Sequence, residues 1–99
     1  MANQPPISKR IKELRIEAGL SQKKLGILAD IDEFSSSARV NQYEKGKHIP
    51  DYSTIQRFAK VLKVPACYFY ADEDNLAQVI RSFGNLSTKD RNKLIKTIT

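Results

Sequence analysis

The sequence predicts an all-α protein of five short helices followed by a helical C-terminal extension. Apolar residues recur at intervals of three and four along most of the chain, which is the spacing of amphipathic helices. Residues that cap or stop helices, among them Ser21, Gly46 and Asp51, stand at the ends of these apolar stripes. The sequence shows no β-strand pattern of useful length. These observations together favour a wholly helical fold.

The first two helices are defined by one apolar stripe and one N-cap. Apolar residues from Ile7 to Ala18 recur at i, i+4, i+7 and i+11, and Gly19 follows them as a C-terminal stop. We therefore expect helix 1 over about residues 7 to 18. The Ser21 hydroxyl can accept hydrogen bonds from the amides of the next turn, which predicts helix 2 over about residues 22 to 29.

The third helix follows a polar connection that starts at Asp30. Ser35 or Ser36 can cap it, which predicts helix 3 over about residues 36 to 45. Gly26 lies inside helix 2, where glycine costs roughly 1 kcal/mol relative to alanine. This cost predicts the close approach of another backbone at Gly26, and helix 3 crossing helix 2 would supply it.

Helices 4 and 5 follow two recognisable N-terminal signals. Asp51 is the natural cap of helix 4, whose inward-facing residues follow at i, i+3, i+4 and i+7 and which ends near Lys63. Pro65 stands close to the start of an apolar cluster, which predicts a short fifth helix within residues 64 to 70.

Residues 72 to 99 form the predicted helical extension beyond a first domain of residues 1 to 71. Two apolar stripes lie in it, separated by a break at Gly84-Asn85, and Ser87 opens a capping-box variant before the second stripe. These apolar groups need a partner surface, either in a second copy of the chain or in the chain's own domain as added core. They are Leu76, Val79, Ile80, Phe83, Leu94, Ile95 and Ile98.

Length and charge limit the class of protein and the class of partner. A chain of 99 residues has one compact domain as its default. Its 17 Lys and Arg against 11 Asp and Glu give a formal net charge of +6, which favours an anionic partner such as nucleic acid or an acidic membrane surface. No apolar run approaches the roughly 18 residues of a membrane span, and the N-terminal residues lack the apolar core of a signal peptide. We therefore expect a cytoplasmic protein with no membrane partner.

Groups that could carry catalysis or bind a metal are few. A single Cys67 and a single His48 exclude an internal disulfide and provide no cluster of zinc ligands. We expect Cys67 to be a small buried hydrophobe and His48 an exposed loop residue, with contact to a phosphate as the alternative for His48. The run from Asp72 to Asp74 is most simply a solvated linker rather than a metal site. The sequence has no Gly-rich phosphate loop and no nucleophile motif, so we predict neither an enzyme nor a cofactor.

Several sequence marks between residues 7 and 71 occur together. They are Arg10-x-x-x-Leu-Arg, Ala18-Gly-Leu-Ser-Gln, Gly26, Val40-x-x-Tyr-Glu-x-Gly, Pro50 and Leu62-x-Val. Together they resemble the helix-turn-helix domain of the Cro and phage-repressor-like regulators, also called the xenobiotic-response-element family. The resemblance implies a repressor-like helix-turn-helix fold and a sequence-specific transcriptional regulator of double-stranded DNA. It further implies a repressor that occupies an operator as a homodimer. Two departures are an insertion, Asp32-Glu-Phe-Ser, before helix 3 and Asp30 where the turn commonly has glycine.

Helix 3 is the recognition helix that this resemblance implies. At about 100° per residue, Val40 and Tyr43 project to one side of it, while small and amide side chains fill the opposite arc. Amide groups match the adenine edge in the major groove, and a small apolar group can meet a thymine methyl. We therefore expect this arc to contact bases, with a merely solvent-facing surface as the alternative. Its residues are Ser37, Ala38, Asn41 and Gln42.

Donors to phosphates are expected around helix 3. The resemblance implies Gln22 at the start of helix 2 and Lys45 and Lys47 after helix 3, and the other candidates are weaker. It also matches Arg15 and Glu44 to an internal ion pair that joins helix 1 to the end of helix 3, with independent solvation of both as the alternative. The full set of phosphate candidates is Gln22, Lys23, Ser36, Arg39, Lys45, Lys47 and His48.

The main rival function is that of an antitoxin, whose chief partner is a toxin protein. An exposed and unpaired apolar patch on residues 72 to 99 would favour it. RNA binding is disfavoured because no aromatic stacking surface on strands is predicted.

Overall fold

A computed structural model describes residues 6 to 99, which form six α-helices and one short 3₁₀ helix. The all-α prediction is confirmed, and residues 6 to 99 contain no strand. No helix in this range is long and apolar enough to cross a membrane. The signal-peptide prediction rests mainly on residues 1 to 5, which lie outside the described residues. The elements are α1 (Ile7–Glu17), α2 (Gln22–Leu28), α3 (Glu33–Glu44), α4 (Tyr52–Leu62), the 3₁₀ helix (Ala66–Tyr70), α5 (Asp74–Gly84) and α6 (Thr88–Ile98).

One apolar core joins α1 to α4 and the 3₁₀ helix. Tyr43 and Phe58 meet edge to face inside it, with ring centroids 6.0 Å apart and planes inclined by 76°, a favourable geometry for aromatic rings. Each of these elements contributes at least one fully buried apolar side chain, which explains why all five predicted stripes became helices. The largest are Ile11, Leu25, Val40, Ile55, Phe58 and Phe69.

Three predicted N-caps and two predicted glycine stops are confirmed. Ser21 Oγ, Asp51 Oδ1 and Ser87 Oγ each accept the main-chain N–H three residues later, at 3.0, 2.8 and 3.1 Å. Each cap satisfies a donor that the first turn of its helix leaves without a partner. Gly19 and Gly46 follow α1 and α3 with φ of +73° and +74°, a left-handed conformation that glycine adopts without strain.

Helix α3 begins at Glu33, earlier than the predicted start at residue 36. Its N-cap is Asp32, whose Oδ2 accepts from the Phe34 N–H at 3.0 Å, so the prediction of Ser35 or Ser36 as the cap is wrong. An aspartate caps a helix as well as a serine does, and the earlier cap adds residues to the helix. The stretch interpreted as an insertion in the connection therefore supplies the N-cap and the first turn of α3.

The turn between α2 and α3 brings the two helices into backbone contact. A Cβ on Gly26 would lie 2.5 Å from Ser36 Cβ and 3.0 Å from Ser36 Cα, so the predicted close approach is confirmed. The Ser36 hydroxyl donates to the carbonyls of Ile31 and Asp32 at 2.9 and 2.8 Å. Asp30 has φ of +67°. Glycine adopts such a conformation without strain, which explains why glycine is common at this position in the family that the chain resembles.

Arg10 is a buried residue that ties α1 to the start of α5. Its Nε and Nη2 donate to the Ala71 carbonyl at 3.3 and 2.9 Å, and its Nη1 donates to Asp74 Oδ1 at 2.9 Å. Its guanidinium carbon also lies 5.6 Å from the ring centroid of Tyr68. Asp74 forms a further ion pair with Lys9 at 3.0 Å. Since Asp74 is also the first residue of α5, the predicted solvated linker is wrong at this position.

Helix α5 packs on the rest of the chain, whereas α6 does so only slightly. Ala77 of α5 is buried, and a Cβ on Gly84 would lie 2.7 Å from Pro65 Cγ. Helix α6 has no buried residue. Arg91 joins it to α5 by donating from Nε and Nη2 to the carbonyls of Phe83 and Gly84 at 3.1 and 2.9 Å. The alternative of a tail that becomes added core therefore holds in part for α5 and not for α6.

Cys67 is exposed, so the prediction of a buried thiol is wrong. It lies in the 3₁₀ helix, where side chains at i and i+3 lie above one another. Cys67 and Tyr70 therefore share the outer face, while Tyr68 and Phe69 point into the core.

Candidate nucleic-acid interface

The outer side of α3 carries the four side chains that were predicted to contact bases. Ser37 and Ala38 are exposed, and Asn41 and Gln42 are half-buried. Val40 lies on the opposite side and is fully buried. We call Ser37, Ala38, Asn41 and Gln42 the reading face. It offers hydroxyl, methyl and amide groups, which suit base edges in a major groove.

Gln22 connects the start of α2 to the reading face. Its Nε2 donates to Asn41 Oδ1 at 3.2 Å and to Glu44 Oε1 at 3.1 Å. Both amide protons of Gln22 are therefore used within the protein, and the Asn41 amide keeps its Nδ2 group and one lone pair of Oδ1 for a ligand. Gln22 is also the first residue of α2, where the main-chain N–H has no partner within the helix and can face a phosphate.

Arg15 and Glu44 join α1 to the end of α3. Arg15 donates to Glu44 from Nε at 2.6 Å and from Nη2 at 3.0 Å, and its Nη1 donates to the Leu20 carbonyl at 2.9 Å. The Glu44 side chain is only 3% exposed. The hydrogen bonds to Glu44 raise the pKa of Arg15 above its ordinary value, while burial acts in the opposite direction. The charges of Arg15 and Glu44 are paired with each other within the fold, and this ion pair fixes the position of α3.

Exposed basic groups lie around the C-terminal half of α3, both at its end and at the start of α2, whose Gln22 contacts Asn41 and Glu44. Lys45 follows the last residue of α3, and Lys47 and His48 lie in the next turn. That turn is closed by the Lys47 N–H, which donates to the Gln42 carbonyl at 3.0 Å. Lys23 is exposed in the first turn of α2. These side chains can reach a polyanion while the reading face stays open.

Arg39 lies beside the reading face over a polar cleft of about 350 Å³. Its Nη2 donates to Tyr43 Oη at 3.0 Å, and this hydrogen bond is the main cause that raises the pKa of Arg39 above its ordinary value. The Asp51 carboxylate shares the cleft and offsets part of the positive charge of Arg39. The cleft is lined by Arg39, Gln42, Tyr43, His48, Ile49, Asp51 and Thr54.

Ser36 cannot contact a phosphate as predicted. It is fully buried, and its hydroxyl donates to two carbonyls of the turn before α3. Its small side chain is what allows α2 and α3 to approach at Gly26. The prediction was wrong because it placed Ser36 at the N-cap, where its side chain would have faced solvent.

The model of the helix-turn-helix family matches residues 11 to 69 of this sequence. The chain belongs to the helix-turn-helix family. These proteins are DNA-binding transcriptional regulators of the Cro/C1 type. The fold is also similar to the crystal structure of the transcriptional regulator BswR, with 45% sequence identity and a TM-score of 0.83. The similarity covers 92% of this chain and 90% of that one. No curated protein matches the chain.

In this helix-turn-helix regulator the matched segment includes α2 and α3, the two helices of the motif, and ends before α5. The reading face thus belongs to the second helix of the motif, which enters the major groove in proteins of this type.

Two features of the regulator were missed from the sequence. Phe34 is exposed at the start of α3, on the same side as Ala38 and Asn41. Its spacing from them, i, i+4 and i+7, could have revealed this if Asp32 had been recognised as the cap. Arg57 donates from Nε to the Ala29 carbonyl at 2.8 Å and so ties α4 to the end of α2. No sequence pattern predicts the hydrogen bond between Arg57 and Ala29.

Proposed function

We propose that this regulator is a repressor that occupies a two-fold operator as a homodimer, with α3 of each subunit in the major groove. The observation that carries the proposal is the division of α3 into a buried side and an open reading face. Fixed backbone is needed for specific base contacts, and the buried Arg15–Glu44 pair supports it at the end of α3.

Bases would be recognised chiefly by two amides and one methyl group. Asn41 and Gln42 can donate to and accept from the edge of adenine, and Ala38 can meet a thymine methyl. The hydrogen bond from Gln22 restricts the rotation of the Asn41 amide before DNA arrives. This restriction lowers the entropy cost of ordering Asn41 on the operator.

Phosphate contacts would position the regulator without reading sequence. Lys23, Lys45 and Lys47 are exposed cations around the C-terminal half of α3, and His48 and Arg39 extend this set along the cleft beside α3. Together they would supply attraction that weakens with salt and acts on any duplex.

The homodimer would use α5 and α6. Leu76, Val79 and Ile98 are 46%, 59% and 73% exposed. Apolar surface of this kind is unfavourable in water and marks a surface for association. A groove of about 780 Å³ lies between the hairpin and α4, and a second copy could fill it with its own apolar residues. The groove is lined by Ala59, Lys60, Lys63, Val64, Pro65, Cys67, Val79, Ile80, Phe83, Gly84, Arg91, Leu94 and Ile98.

A dimer also explains how a small domain could find one site in a genome. One recognition helix contacts too few base pairs for that task. Two copies related by a two-fold axis would present two α3 helices to successive major grooves, about 34 to 36 Å apart.

Selection of bound sequences from random duplex DNA tests DNA recognition directly. We expect a site with two-fold symmetry. If each subunit neutralises about three phosphates, a plot of log K against log salt should slope near −5. A slope near zero on duplex DNA would rule out this function.

The thiol of Cys67 offers a test of the dimer contact, because Cys67 is exposed and lines the groove. We expect its rate of reaction with a thiol reagent to fall as protein concentration rises through the dimerisation range. Unfolded protein gives the reference rate for an unprotected thiol. A rate independent of concentration in a sample that sediments as a dimer would place the contact elsewhere.

The same exposed hairpin supports a second candidate, an antitoxin that covers a toxin protein with α5 and α6. In that case the purified chain would sediment as a monomer. A small toxic protein would bind it in a one-to-one complex, and this complex would protect the Cys67 thiol from the thiol reagent. Neither candidate assigns the regulator a catalytic activity or a cofactor.

A further inference from the structure

Phe34 stands in an unusual place for a phenylalanine. Its side chain is 94% exposed, the highest value among the large apolar residues of the described chain. It lies in the first turn of α3, one turn before Ala38 and two turns before Asn41. At about 100° per residue, Phe34 lies near the middle of the arc that the reading face covers, and Tyr43 of the core points the opposite way.

The backbone that carries Phe34 is held firmly. The Phe34 N–H donates to the cap Asp32 Oδ2 at 3.0 Å. Two residues later the hydroxyl of the fully buried Ser36 anchors the same turn to the Ile31 and Asp32 carbonyls. The ring therefore projects from a fixed point and has two side-chain torsions to order on binding.

The chemistry of this turn does not suit a phosphate. Asp32 and Glu33 place two carboxylates at the start of α3, where they occupy the positive end of the helix dipole. A neutral apolar ring between these carboxylates and the amides of the reading face suits an apolar group of the DNA. In the major groove that group is the methyl on C5 of thymine.

We propose that Phe34 is a specificity-determining residue that packs against the C5 methyl group of a thymine in the operator. This inference rests on the proposed function, because it requires α3 to lie in the major groove. Phe34 would then recognise one base at the outer end of each half-site or at its centre, according to which way α3 runs. The reading face would contact the adjacent base pairs.

Removal of single methyl groups tests the contact. In the operator selected from random DNA, each thymine is replaced in turn by uracil, which lacks only the C5 methyl. At the thymine that contacts Phe34, we expect one symmetry-related pair of replacements to weaken wild-type binding by about fourfold per half-site, the factor expected for burial of one methyl group. Phe34→Ala should bind the unmodified operator correspondingly more weakly and should be insensitive to those same replacements. A thymine that contacts Ala38 would form a separate pair, whose sensitivity Phe34→Ala should keep.

Three controls accompany this cycle. Phe34→Leu should keep part of the sensitivity because it keeps an apolar contact. Ile16→Ala removes an exposed apolar side chain from α1 and should leave all affinities unchanged. Phe34→Ala should also unfold at the wild-type temperature and bind random DNA as the wild type does, since the ring is almost wholly exposed.

The possible failures are distinguishable. If the wild type binds a selected operator but Phe34→Ala retains the full uracil sensitivity, the Phe34 contact is wrong and the proposed function stands. Equal losses on operator and random DNA, or a changed sedimentation mass in Phe34→Ala, would likewise overturn the contact. If the wild type prefers no duplex sequence, the proposed function fails and the Phe34 contact fails with it.

Discussion

The helix-turn-helix body, residues 7 to 71, and the C-terminal hairpin of α5 and α6 bury their apolar residues very differently. Each helix of the body places residues in the shared core, whereas Ala77 alone is buried among residues 72 to 99. The body can therefore be stable on its own contacts. The hairpin keeps apolar surface that is available for association.

Their ion pairs differ in the same way. Arg15 and Glu44 hold the body together with side chains 13% and 3% exposed. Arg81 of the hairpin pairs with Glu17 of the body in a more open setting, where both groups are partly in water. Screening by solvent makes such exposed pairs weak. The interactions that stabilise the fold should thus lie mainly in the body, and the substitutions described next test the difference between body and hairpin.

The largest effect is expected at Glu44. Glu44→Ala leaves the Arg15 guanidinium partly buried without its counterpart, which should lower the free energy of unfolding by up to about 3 to 5 kcal/mol. Denaturant unfolding followed by circular dichroism measures this change. Glu17→Ala is the matched control for the hairpin contact and should barely move the midpoint. Equal midpoints for the two variants would remove the distinction between body and hairpin.

A smaller effect is expected where glycine permits close packing. Gly26→Ala would put a methyl group 2.5 Å from Ser36 Cβ, and overpacking of this kind should cost about 1 to 3 kcal/mol. Gly84→Ala makes a similar clash with Pro65 Cγ, at 2.7 Å, but at the hairpin. We expect its global stability to stay closer to wild type because α5 can shift away from Pro65. A larger loss in Gly84→Ala than in Gly26→Ala would reverse the comparison.

DNA binding should depend on the body in two separable ways. Asn41→Ala should cost about 1 to 3 kcal/mol on the selected operator, mainly through lost base discrimination. Lys47→Ala should weaken binding to all sequences alike and reduce the salt slope by about 1 per contact. Fluorescence anisotropy with operator and random duplexes measures both. Equal losses on the two duplexes for Asn41→Ala would mean that the reading face is misplaced.

The smallest effect concerns pH and the junction between body and hairpin. Hydrogen bonds from Lys9 and then Arg10 hold the pKa of Asp74 below its ordinary value. Since the folded pKa is the lower one, Asp74 contributes stability above about pH 4, and this contribution is lost as pH falls through the folded pKa.

Unfolding midpoints between pH 6 and pH 2 measure this contribution. The difference between wild type and Asp74→Asn should be present at pH 6 and should shrink toward pH 2. A difference for Asp74→Asn that is constant over the whole range would exclude the ion pairs as its source.

The sequence predicted most of the body because local signals there agree with tertiary packing. The apolar stripes, Ser21, Asp51 and the close approach at Gly26 all specify structure within a few residues of chain. The start of α3 was missed because Asp32 competes with two serines, and only the burial of Ser36 against Gly26 decides between them. That error hid Phe34 and placed Ser36 at the surface.

Long-range polar contacts were the other part that periodicity could not predict. Arg10 lies in the sequence among residues of a charged helix, yet it is buried because Ala71 and Asp74 supply its acceptors from far along the chain. Cys67 followed an apolar run and was expected inside. The 3₁₀ geometry turned it outward, since the repeat of three residues per turn replaced that of the α-helix.

The central claim is that the body reads DNA and the hairpin joins two copies, and truncation after Asn85 tests it most directly. This truncation removes α6 and keeps α5 with its contacts to the body. Sedimentation and operator titration are measured for both proteins, with circular dichroism to verify folding.

We expect the full chain to be a dimer with a salt slope near −5. The truncated chain should be a folded monomer that binds a half-site weakly, with a slope near −2.7 for about three phosphates. A truncated chain that still dimerises and keeps the full slope, or a full chain that binds the operator as a monomer, would contradict the account.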